Sequence, residues 1–249
     1  MYIDSHAHVN FDMYDDIKSV LSSALKNNVR KIINCAEDLN SSLKVIELHK
    51  QYNYLYPAVG IHPQNVDNSS TDDIANLEKI IRDEKVVAIG EIGLDYYYSR
   101  NNRERQILFF ELQLKLAEKY NLPVIIHSRN ATDDVFRILK NYTLKGVIHC
   151  FSGSIETAKE FIKLGYYLGI GGILTFKNSK LFEVIKEVPL EYILLETDSP
   201  FLTPEPFRKY KNEPKYIPVI ANKLASIKDI NEDDVMRITT DNANRVFDF

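Results

Sequence analysis

Eight short apolar runs, each followed by a longer polar or amphipathic stretch, limit what this chain can fold into more than any other feature. The runs are Tyr2–Val9, Lys31–Ala36, Tyr54–Ile61, Val86–Leu94, Pro123–His127, Gly146–Phe151, Tyr166–Leu174 and Tyr192–Thr197. They are rich in Val, Ile, Leu and Tyr, as parallel strands buried on both faces are. Helical patterns lie between them. In Asp15–Asn27, residues Ile17, Val20, Leu21, Ala24 and Leu25 form one apolar face; in Arg103–Tyr120, Ile107, Phe110, Leu114 and Ala117 do the same. Asp72, Asn130 and Ser154 stand where helix N-caps are expected, and Asn231–Phe247 reads as a last helix packed on the outside. Strict strand–helix alternation implies a parallel sheet, and eight such units close a barrel. The length of 249 residues suits the roughly 250 typical of that fold. An open doubly wound sheet calls for a Gly-rich phosphate turn after an early strand, and the sequence has none. The expected architecture is a (β/α)8 TIM barrel, with residues 1–249 as a single domain.

Composition narrows the partners. The net charge of −4 argues against a broad nonspecific nucleic-acid coat, which carries a basic surface. It leaves a nuclease open, because bound divalent cations invert the local field of an acidic site. Cys35 and Cys150 form no Cys-x-x-Cys pair and read as free buried thiols. The chain begins Met-Tyr-Ile-Asp, and no apolar run approaches the roughly 20 residues of a membrane span. The expectation is a cytoplasmic monomer with no membrane contact and no obligate protein partner.

The polar residues fall at the strand ends. Asp4, His6 and His8 end the first apolar run, His62 the third, Glu91 lies in the fourth, His127 ends the fifth, His149 lies in the sixth and Asp198 follows the eighth. Barrel active sites are assembled at this C-terminal face from several strands. Five of the six histidines stand there, and His49 reads as an ordinary surface residue. His6 and His8 are two apart on a strand, so their side chains share a face with Cα atoms roughly 6.6 Å apart. Such a pair can hold one ion or simply be hydrogen-bonded in a core. Alternation extends the pattern: Ile125 with His127, Val147 with His149, and Leu194 with Glu196 and Asp198 share faces. Imidazole with carboxylate suits Zn, Mn or a related divalent ion such as Mg. One ion cannot use His6, His8, Glu91, His127, His149 and Asp198 together and keep a place for water; two can, if one carboxylate bridges. Asp4 and Glu196, each two residues before a candidate ligand, suit hydrogen bonds that orient the ligands. Cys150 has the opposite parity to His149 and is expected to pack against a helix. The rings of Tyr96-Tyr97-Tyr98 either stack on substrate bases or close the core.

Taken together, D-S-H-A-H (Asp4–His8), V-G-I-H-P (Val59–Pro63), I-G-E-I-G-L-D-Y (Ile89–Tyr96), P-V-I-I-H-S-R (Pro123–Arg129), I-H-C-F-S-G (Ile148–Gly153), E-T-D-S-P-F-L (Glu196–Leu202) and T-T-D-N-A-N-R-V-F (Thr239–Phe247) resemble the TatD family of metal-dependent deoxyribonucleases, within the amidohydrolase group. The motifs run the length of the chain in the family's order. The resemblance implies a barrel holding two divalent metal ions and a DNase activity, often 3′→5′ exonucleolytic. It implies His6, His8, Glu91 and Asp198 around the first ion, Glu91, His127 and His149 around the second, and His62 on the scissile phosphate. Arg129 and Ser152 lie in matching motifs and are carried as substrate contacts, with Tyr96. Glu91 stands where many amidohydrolases have a carboxylated lysine, as in the TatD branch.

The implied chemistry is phosphodiester hydrolysis, with Asp198 as proton acceptor, Glu91 bridging and His62 neutralising phosphoryl charge. The segment Phe201–Tyr216, with Phe207, Arg208, Lys209, Tyr210, Lys211 and Lys215, and the cations Arg100, Arg103 and Arg105 suit a single strand of DNA, or are a solvated surface. An esterase, lactonase or amidase of small molecules with the same metals is the other enzymatic reading. A noncatalytic metal-binding scaffold is the third.

Overall fold

The computed structural model describes residues 1–9, 14–98 and 100–249. The elements are β1 (Tyr2–Ala7), α1 (Ile17–Lys26), β2 (Val29–Cys35), α2 (Leu39–Gln51), β3 (Leu55–Val59), α3 (Thr71–Asp83), β4 (Ala88–Asp95), α4 (Arg103–Tyr120), β5 (Val124–Arg129), α5 (Thr132–Leu139), β6 (Gly146–Ile148), α6 (Ile155–Lys163), β7 (Tyr166–Ile170), α7 (Leu181–Glu187), β8 (Ile193–Leu195), α8 (Ile217–Lys228) and α9 (Glu232–Val246). The eight strands follow one another in sheet order β1 to β8, and the fold is a (β/α)8 barrel. Every residue of β1 and β4 is buried, which is why these strands carry no simple inside–outside alternation of polarity. Among the described residues no helix is long and apolar enough to cross a membrane.

The chain forms two compact units, Met1–Ile33 with Cys150–Asp248, and Asn34–His149 with Phe249. In the first, β7 and β8 pair in parallel, Leu168 opposite Ile193 and Ile170 opposite Leu195. A parallel bridge between Ala7 and Ser199 joins β1 to the chain leaving β8. In the second, β3, β4, β5 and β6 pair in parallel, and the β4–β5 register shifts between Ile89 and Ile92 before Gly93 falls opposite His127. Gly93 has φ +144°, and an added Cβ would lie 2.0 Å from the His127 carbonyl oxygen. Only glycine fits there, and the close approach sets β4 tightly against the strand that carries His127.

Several boundaries differ from the sequence reading. Ser154 caps α6 as expected. Asp72 instead lies inside the first turn of α3, whose cap is Ser70, with the Ser70 N–H donating to Asp73 at 2.7 Å. Asn130 has φ +54° and precedes the cap of α5, Ala131. The seventh strand stops at Ile170, and Gly172–Thr175 is a 3-10 turn. On α4 the buried face includes Gln106 and Gln113, while Ile107 is half-buried. His49 is also half-buried, its Nδ1 2.6 Å from the Leu55 carbonyl.

Candidate metal centre

In the first unit, β1 delivers His6 and His8 to one face, as their spacing requires. Their Nε2 atoms stand 3.0 Å apart, and each lies 3.6 Å from Asp198 Oδ1. Asp198 does not reach them by strand alternation. β8 ends at Leu195, and Asp198 takes a left-handed backbone with φ +54°, a conformation Asp tolerates better than most residues. Backbone bonds fix the turn: Asp198 N–H donates to His6 O at 2.9 Å and His8 N–H to Ser199 O at 2.7 Å. The two imidazoles are buried, and the Asp198 side chain is 13% exposed, so it faces the solvent side of the cluster.

Asp4 and Glu196 brace this arrangement. Buried Asp4 accepts Thr197 N–H at 2.9 Å and Thr197 Oγ1–H at 2.6 Å, which anchors the residue before Asp198. Burial pushes its carboxyl up to about 8, against the pull of those Thr197 bonds. Glu196 Oε1 accepts Cys150 N–H at 2.6 Å. An added Cβ at Gly169 would sit 2.1 Å from Glu196 Oε2, so the glycine makes room for that carboxylate. Cys150 is half-buried with φ +48°. Its backbone, more than its thiol, sets the turn that follows His149.

In the second unit, Glu91 Oε1 is the centre. It lies 2.7 Å from His127 Nδ1, 3.2 Å from His149 Nε2 and 3.5 Å from His62 Nε2. The rings of His127 and His149 stack with centroids 5.7 Å apart. On its other side His127 Nε2 meets Asp95 Oδ2 at 3.2 Å. Burial works against a charged His127, but the bonds to Asp95 and Glu91 outweigh it and its pKa is raised. A carboxylate behind the ring holds the tautomer with N–H at Nε2 and leaves Nδ1 for a ligand, the usual support of a metal-binding histidine.

Asp95 is the residue the sequence reading passed over. Burial alone would raise its carboxyl. Hydrogen bonds from His127, Gln64 (2.8 Å) and the Tyr97 N–H (2.9 Å) win, and hold it well below the usual carboxylate range. The signal was present: Glu91, Gly93 and Asp95 share strand parity inside the quoted Ile89–Tyr96 motif.

His62 lies past the end of β3. Its Nδ1 accepts the Gln64 N–H at 3.2 Å, so a neutral His62 carries its proton on Nε2, the atom facing Glu91. That atom can donate a hydrogen bond, and His62, Glu91 and His127 also bring one ligand-type atom each within 4.8 Å of one another, close enough to share an ion. The substrate-side expectations change more. Tyr96 is 7% exposed and its hydroxyl donates to Asp134 at 2.8 Å, so the exposed rings of the run are Tyr97 and Tyr98. Ser152 is exposed. Most of the expected cations are committed elsewhere: Arg103 to Asp134 at 2.8 Å, Arg105 to the Val66 carbonyl at 2.7 Å, Arg208 to the Thr203 carbonyl at 2.9 Å and Lys215 to Glu213 at 2.5 Å.

The donor sets fit divalent metal. Nitrogen donors about 2.0–2.1 Å from one ion stand roughly 3.3 Å apart when tetrahedral, close to the separations of 3.0 and 3.6 Å around His6, His8 and Asp198 and of 2.7 and 3.2 Å around Glu91, His127 and His149.

A family model described as TatD related DNase matches residues 3–248. An uncharacterised metal-dependent hydrolase of Bacillus subtilis, YabD, is 41% identical, with 99% of each chain covered. The crystal structure of YjjV, a TatD homologue from Escherichia coli, superposes with a TM-score of 0.94 at 35% identity, covering 99% of this chain and 97% of that one. A TatD family hydrolase from Entamoeba histolytica gives 0.89 at 28% identity, with the same coverage. With ligand-type residues gathered at the strand ends of a (β/α)8 barrel and a family match across its length, the chain belongs to the TatD-related family of metal-dependent hydrolases.

Proposed function

We propose that this enzyme hydrolyses phosphodiester bonds of DNA, acting on unpaired ends as a 3′→5′ exonuclease. In this reading His6, His8, Glu91 and Asp198 hold one divalent ion and Glu91, His127 and His149 a second, with Glu91 bridging. The observation that carries the phosphodiester reading is His62: its Nδ1 is occupied by the Gln64 N–H, so Nε2–H is offered beside two metal-ligand side chains, Glu91 and His127. A donor aimed at a metal-ligand cluster suits an anionic oxygen on a substrate, as a phosphodiester has.

Bound divalent ions supply Lewis acidity and bring the pKa of a water toward neutrality. The side chains do the rest. Asp198, the partly exposed member of its cluster, accepts the proton of the attacking water. His62 donates to a non-bridging phosphoryl oxygen and stabilises the charge that grows there. Asp95 holds His127 in the tautomer that its role needs. The family description, TatD related DNase, supports DNA over a small ester.

The test is digestion of end-labelled single-stranded DNA by metal-loaded protein, run beside a panel of small esters, lactones and cyclic amides. Stepwise shortening from the 3′ end supports the proposal. Turnover of the small substrates with intact DNA sinks it in favour of an amidohydrolase of small molecules.

A further inference from the structure

We infer that Tyr97 and Tyr98, with Arg129, form a platform on which one unpaired base of the DNA strand stacks. The inference rests on the nuclease reading and adds the feature by which that site selects single strands.

Tyr97 and Tyr98 are 55% and 73% exposed and adjacent, so they present one aromatic surface to solvent. They meet edge to face, with centroids 4.9 Å apart and planes at 87°. The Arg129 guanidinium lies 3.6 Å from the Tyr97 ring centroid and 5.1 Å from that of Tyr98. A guanidinium over an aromatic face holds the ring in place and brings positive charge to it. Exposed rings beside a cation are what single-strand binders use for base and phosphate together.

One carboxylate ties this corner to the metal ligands. Asp95 Oδ1 accepts the Tyr97 N–H at 2.9 Å, while Oδ2 lies 3.2 Å from His127 Nε2 and 4.0 Å from Arg129 Nη1. Gly93 pairs with His127 and Asp95 with Arg129 across β4 and β5. Arg129 therefore stands two residues along β5 from His127, Tyr97 stands two residues past Asp95 at the end of β4, and both meet the carboxylate that orients His127. Tyr96, in contrast, has its ring buried and its hydroxyl on Asp134. A base inside a duplex has both faces covered by its neighbours, whereas an unpaired base can turn onto such rings.

The test compares a single-stranded oligonucleotide with versions carrying one abasic residue at each of the last few nucleotides in turn, using metal-loaded protein. In the wild type, one abasic position should raise KM roughly 5- to 100-fold. In Tyr97→Ala and Tyr98→Ala the intact and abasic strands should be cut with nearly equal, weak KM. Tyr97→Trp should restore the difference, which a folding defect would not do. An intact-to-abasic KM ratio near one at every position in the wild type overturns the platform while leaving the nuclease reading standing. Cleavage of bis(p-nitrophenyl) phosphate with no cleavage of any oligonucleotide overturns both.

Discussion

His62 is a better guide to the reaction than any metal ligand, because one side of its ring is already tied. With Nδ1 accepting the Gln64 N–H, His62→Ala should keep a full metal complement and lose turnover, by about 2.7–4 kcal/mol of transition-state stabilisation if it behaves as other preorganised donors do. Elemental analysis beside kcat checks this, and loss of an ion from the variant would make His62 a ligand. Glu91→Ala should do the opposite and lose more metal than any single histidine change, since it serves both proposed ions. Two tightly held ions in that variant would rule out a bridge. Asp95→Asn should lower metal affinity or activity by about 10- to 100-fold without touching a metal; wild-type values for both would remove Asp95 from the account. The residues of the two clusters were legible in the sequence because histidines and carboxylates gather at the ends of its apolar runs. Asp95 was passed over although it shares strand parity with Glu91, because its partners His127, Gln64 and the Tyr97 N–H stand at no common spacing in the sequence. For Tyr96 the sequence left stacking on substrate and closing the core both open, because it gives the ring but not its partner, and Asp134 is 38 positions away.

At the level of elements, long strands and helices were readable and the turns that aim side chains were not. β6 and β8 have only three residues each, so the alternation that seemed to place His149 and Asp198 runs out before reaching them. Backbone turns at Cys150 (φ +48°) and Asp198 (φ +54°) finish the placement, and they depend on hydrogen bonds from distant residues. Helix α4 shows the same limit. Its buried Gln113 holds Ile61 through N–H···O at 2.7 Å and N–H···O=C at 3.1 Å. Gln106 does the same for Asp95 at 2.8 and 2.9 Å. Polar residues seven apart on an apolar face are the available sign of such clamps. Asn212 is the matching clamp in the other unit: fully buried, it donates to the carbonyls of Thr197, at 2.7 Å, and Phe201, on either side of Asp198. Asn212→Ala leaves both carbonyls without that donor and should cost about 1–3 kcal/mol, a fall in Tm of roughly 2–4 °C per kcal/mol at this size. It should also weaken metal binding at the His6–His8–Asp198 cluster. An unchanged Tm and metal content would show that the turn holds itself.

For the molecule as a whole, an acidic chain with a net charge of −4 and few uncommitted cations near the site is poorly suited to grip a duplex along its length. Four of its candidate ligands, His6, His8, Glu91 and His149, are buried and His127 and Asp198 are only partly exposed, so a scissile phosphate has to come down to them. A paired end must fray first, at a cost of a few kcal/mol. The same labelled strand should therefore be cut faster alone than annealed to a blunt complement at one fixed salt concentration. Equal rates, or nicking of closed circular DNA as the main activity, would point to an endonuclease. The measurement that bears most directly on the central claim is a metal titration of chelator-stripped protein, following bound ions per chain and the rate of single-stranded DNA cleavage in the same samples. The account predicts no cleavage by the stripped protein and a rate that rises to its plateau as the second ion binds. Full cleavage in excess chelator, or a plateau reached with ions bound and no DNA cut, would contradict it.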